Sequence, residues 1–82
     1  MDGVAEEVIK ILQNKIQCHC EGMEKNMDLP LTGAPFYLSE IDMVYLLFEI
    51  EKKYRIQIEE QYLTDYKFST MNQIVEIIKV YL

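Results

Sequence analysis

The stretch YLSEIDMVYLLFEIEKKYRIQI, Tyr37 to Ile58, constrains the fold more than any other part of the chain. Its Ser39-Glu40-Ile41-Asp42 run has the form of a capping box. The Ser39 hydroxyl can accept the Asp42 backbone N–H while the Asp42 carboxylate reaches back. A helix is therefore expected over Ser39 to Lys53, with Lys52 and Lys53 at its negative end, where cations are favourable. Its apolar residues fall on two stripes. Met43, Leu46, Leu47, Ile50 and Tyr54 form one, and Ile41, Val44, Tyr45 and Phe48 form the other. A helix apolar on both sides is either deeply buried or meets a second partner. With only 82 residues to cover it, full burial is difficult.

The rest of the chain reads around that helix. Val4 to Gln17 predicts an amphipathic helix. Ala5, Val8, Ile9, Leu12 and Ile16 lie on its apolar stripe, Glu6, Glu7, Lys10 and Lys15 face away, and Asp2 is placed to cap the start. Glu21 to Leu38 holds Gly22, Pro30, Gly33 and Pro35, which oppose regular structure. The same segment carries Met23, Met27, Leu29, Leu31, Phe36 and Tyr37, so it is expected to pack back on the helices. Phe36 and Tyr37 are also the residues placed to cover the second stripe, if anything in the chain does.

Arg55 to Ile58 alternates but is too short to predict a strand. A short helical turn is expected around Glu59 to Leu63, capped by its acids. Thr70-Met71-Asn72-Gln73 is a second capping box, opening a helix to Tyr81 with Ile74, Val75, Ile77, Ile78 and Leu82 on its apolar side. The expected architecture is all-α: one domain over residues 1–82, with three main helices, a short helix, and a long loop after the first helix.

Fourteen acids against eight bases give a formal charge of −6, which opposes nucleic-acid and anionic-lipid binding and favours basic partner surfaces. No segment approaches the roughly 20 apolar residues that span a bilayer. The N-terminus lacks the basic start and apolar run of a signal peptide, so a cytoplasmic location is expected. Cys18, His19 and Cys20 offer three soft ligand atoms, but zinc usually takes four, often from two separated pairs. No metal is therefore expected. His19, the only histidine, has no evident acid or nucleophile partner in its motif.

The phrase LLFEIEKKYRIQI, followed by FSTMNQIVEII, resembles the acyl and peptidyl carrier protein family from about Asp28 onward. Ile50, Glu51, Tyr54, Ile56 and Ile58 match the family's second-helix ending and the segment after it. Thr70, Ile74 and Ile77 match its last helix. The approach to the second helix, PLTGAPFYLS, is similar to carrier-related proteins of bacterial peptide-maturation systems. The resemblance implies a carrier-like bundle whose second helix docks on partner enzymes. It also implies phosphopantetheine on the serine of an Asp-Ser-Leu motif. That motif is absent here. At the family's spacing from Tyr54 the register position holds Glu40, and Ser39 stands where the aspartate belongs. A shift of one residue rotates a side chain by about 100° around a helix.

The expected function is accordingly a non-enzymatic, monomeric interaction module that docks on biosynthetic or peptide-modifying enzymes without a covalent arm. Ile41, Asp42, Val44, Tyr45, Phe48 and Glu49 are its partner-binding residues. The alternative is a working carrier with phosphopantetheine on Ser39.

Overall fold

The computed structural model describes residues 3–19 and 21–82. The Asp2 cap and the Cys20 thiol lie outside them. The described chain is all-α, with α1 at Gly3–Asn14, α2 at Glu40–Tyr54 and α3 at Met71–Val80. Single 3-10 turns stand at Met23–Lys25 and Glu60–Tyr62, and no strand occurs among the described residues. α1 packs against both α2 and α3 in a body of 28 × 26 × 20 Å.

α1 is shorter than its periodicity suggests. Gln17 takes a left-handed conformation at φ 60°, and the Cys18 N–H returns to the Leu12 carbonyl at 2.8 Å. The apolar face is also rotated from the expected one. Ala5, Val8, Ile11 and Leu12 are buried, while Ile9 and Ile16 sit half-buried at the margin. Glu7 does not face away. It accepts from the Lys53 ammonium at 2.9 Å and so ties α1 to the last turn of α2.

Both capping boxes form. At α3 the Thr70 hydroxyl accepts from the Gln73 N–H, and the Gln73 side-chain carbonyl accepts from the N–H groups of Ser69 and Thr70. Met71, Ile74, Val75, Ile77 and Ile78 are buried from α3, whereas Leu82 lies beyond the helix and is exposed. The acids at the 3-10 turn do not cap it. Glu59 makes no side-chain cap bond, and its carboxylate instead accepts from the Gln61 amide. This turn is held by the Glu59 N–H donating to the Tyr81 hydroxyl, and by an edge-on contact between the Tyr62 and Tyr81 rings.

The long loop forms part of the core. Met23, Leu31, Phe36 and Leu38 are buried with Val8, Leu12, Leu46, Ile50, Ile74 and Ile78. Buried backbone needs partners, and the loop finds them at the start of α3 and just before it. The Leu31 N–H donates to the Ser69 carbonyl, the Asn72 N–H to the Met27 carbonyl, and the Asn72 side-chain amide to Asp28. The Leu38 N–H closes the loop onto the Leu31 carbonyl at 2.9 Å. These bonds set the position from which α2 starts.

Candidate docking site

α2 is fixed at both ends. Ser39, in an extended conformation, exchanges hydrogen bonds with Asp42, and the Met43 N–H donates to the Ser39 carbonyl at 3.1 Å. At the other end Arg55 adopts a left-handed conformation at φ 56° and stops the helix. The Glu51 carboxylate then accepts the Ile58 N–H at 2.8 Å, which turns Ile58 into the core. The α2 axis is therefore held independently of any partner.

Its two stripes have different environments. Leu46 and Ile50 are fully buried, with Met43, Leu47 and Tyr54 packed half-buried beside them. On the other side Ile41 is 80 % exposed, Phe48 62 %, Val44 49 % and Tyr45 48 %. The loop does not cover this side. Phe36 turns into the core and Tyr37, at φ 52°, is exposed. Four large apolar side chains at helical spacing thus form one uncovered stripe, the kind of surface that marks interaction sites on soluble proteins.

The charges beside the stripe are unequal in reach. Asp42 is half-buried and committed to the cap. Glu49 has a side chain only 14 % exposed, 4.0 Å from the Lys52 ammonium. Glu40 is exposed, making it the more accessible carboxylate of the first turn. Glu40, which stands at the register position of the missing serine, is exposed at the opening of the stripe.

Ser39 is exposed at the helix entrance. With Glu40 it borders a groove of about 450 Å3, lined also by Leu38, Met43, Tyr66 and Phe68. Tyr66 was missed by sequence reasoning, because an isolated tyrosine in a loop carries no periodic signal. Cys18 is half-buried and its thiol lies 3.6 Å from the His19 carbonyl. No cluster of three His, Cys, Asp or Glu side chains able to hold a metal occurs among the described residues, which do not include Cys20.

Set against family models, curated proteins and solved structures, the chain matches none. The structure defines a small three-helix bundle with no helix, among its described residues, long and apolar enough to cross a membrane.

Proposed function

We propose that the chain is a non-enzymatic docking module, built like a carrier protein but without the covalent arm. It binds enzymes of a biosynthetic or peptide-modifying pathway through α2. The observation that carries this reading is the uncovered stripe of Ile41, Val44, Tyr45 and Phe48 on a helix already secured by its opposite face. Aromatic side chains at the centre of such a surface are favoured binding anchors. The order of elements and the residues resembling carrier proteins support the choice of partner class. Glu40 in the register of the family serine supports the loss of the arm.

The test is capture of enzymes from the native cytoplasm, comparing the unaltered chain with Tyr45→Ala and Phe48→Ala. Specific partners lost in both folded variants support the reading; partners retained by both overturn it.

One observation favours a working carrier instead: the Ser39 hydroxyl is exposed beside an open groove. Co-expression with a broad-specificity pantetheinyl transferase separates the two readings. An unchanged intact mass supports the armless module. A gain of one phosphopantetheine, abolished by Ser39→Ala, establishes the carrier.

A further inference from the structure

We propose that the groove beside the start of α2 seats one basic side chain, an arginine or lysine, of the protein that docks there. This rests on the docking reading and adds what the partner must carry at that end of the helix. The groove measures about 450 Å3. Its less exposed lining is Leu38, Met43, Phe68 and Ser69, mostly apolar; its exposed lining is Thr32, Ser39, Glu40 and Tyr66. Apolar carbon beneath and polar groups above suit a long side chain whose stem is aliphatic and whose head is charged.

The sign of that charge follows from the surroundings. Among the described residues, no lysine or arginine lines the groove. The Glu40 carboxylate does, and Asp65 and Lys67 flank Tyr66 in the chain, both exposed, with the Lys67 ammonium donating to the Gln61 carbonyl at 3.2 Å. The positive end of a helix counts for about half a charge. Glu40 and Asp42 in the first turn of α2 more than offset it. An anion is therefore repelled. A purely apolar group would strip water from Glu40 and give it no partner in return, which is unfavourable. A cation meets neither objection.

Tyr66 supplies the second contact. It is 88 % exposed, and both Asp65 and Tyr66 are left-handed, at φ 56° and 59°. Bulky residues rarely take that conformation, and Tyr66 buries almost nothing of its own ring in exchange. An exposed tyrosine face attracts a cation. Arginine is preferred, because its planar guanidinium stacks on the ring while donating hydrogen bonds to a carboxylate.

The experiment is an amide NMR titration of the full chain with three probes: N-acetylarginine amide, its neutral citrulline counterpart, and N-acetylleucine amide. The expected result is saturable shifts at Glu40, Met43, Tyr66 and Phe68 with the arginine probe, weakened by salt. The citrulline probe should bind at least about fivefold more weakly, having lost the charge-assisted bond. Tyr66→Ala should weaken the arginine probe about threefold, and Glu40→Gln should remove most of its salt dependence.

Equal shifts from the citrulline or leucine probe would overturn the proposal, leaving an apolar groove only. Arginine shifts that survive both substitutions would also overturn it, as general attraction to an acidic surface, and so would the absence of any saturable arginine shift. The two substitutions are exposed and independent, so either can serve if the other disturbs folding. The titration leaves Tyr45 and Phe48 untouched, so its failure is distinguishable from failure of the docking reading.

Discussion

Ser39 and Asp42 hold each other: the Asp42 N–H donates to the Ser39 hydroxyl at 3.0 Å, and the Ser39 N–H donates to the Asp42 carboxylate at 3.0 Å. Two backbone donors at the helix entrance are thereby satisfied. Ser39→Ala removes one of those bonds, so stability should fall by about 0.5–2 kcal/mol. Denaturant unfolding measures it. Together with an intact mass that shows no phosphopantetheine on the unaltered chain, that loss assigns Ser39 a structural role.

The stripes of α2 separate stability from binding. Leu46→Ala and Ile50→Ala should each cost about 2–5 kcal/mol, since both side chains are fully enclosed. Tyr45→Ala and Phe48→Ala should change stability by only about 0.5 kcal/mol. They should weaken partner binding by about 2 kcal/mol or more. Thermal unfolding beside a binding titration decides the matter. Should the second pair unfold as readily as the first, the stripe is not a free surface.

The Glu7–Lys53 pair links α1 to α2 and has a defined pH signature. The Glu7 carboxyl is held below its ordinary value by the hydrogen bond from Lys53, then by the charges of Lys10 and Lys53. Its contribution is present above the ordinary carboxylate range and is lost as pH falls through the lowered value. The Lys53 ammonium is raised, chiefly by its hydrogen bond to Glu7 and then by the charge of Glu7. Its contribution is present below the ordinary lysine value and lost as pH rises through the raised one. Glu7→Gln should flatten both limbs of a stability–pH curve by lowering the neutral plateau between them, where the pair is intact. Added salt should produce part of the same effect, because both groups are exposed enough to be screened.

Metal should not support the fold. Cys18 and His19 supply at most part of a zinc shell, and a second ligand pair is absent from the sequence. Chelator treatment should leave the unfolding temperature unchanged, with no stoichiometric zinc in protein purified without chelator. One zinc per chain, lost on Cys18→Ser, would refute this.

The parts most legible in the sequence were those encoded locally. Ser39–Asp42 and Thr70–Gln73 lie within one turn of chain, so the capping boxes were readable as letters and formed as read. The two stripes of α2 also followed from spacing. The stripe expected to be free, Ile41, Val44, Tyr45 and Phe48, is the exposed one. That expectation comes from the carrier-protein resemblance and not from spacing, since exposure depends on where the loop sends Phe36 and Tyr37. That choice is made by the distant bonds from Leu31 to Ser69 and from Asn72 to Met27. The rotation of the α1 face toward Ile11 was hidden for a similar reason. A periodic pattern gives a stripe, but its centre is set by the two helices packed against it. The groove brings Tyr66 beside Glu40 across a long stretch of chain, and no spacing rule encodes that neighbourhood.

The binding of the long loop to α3 also governs how fast this molecule can assemble. A bundle whose helices meet through short turns closes mostly local contacts and folds quickly. Here Asp28 and Asn72, 44 positions apart, are joined by a side-chain hydrogen bond, and the loop's backbone partners at Ser69 and Asn72 are similarly distant in the chain. Closing so long a segment costs entropy before any contact repays it. The chain should therefore fold more slowly than its size and helix content suggest, with α2 reaching its final orientation only after the distant ends of the loop and α3 have joined.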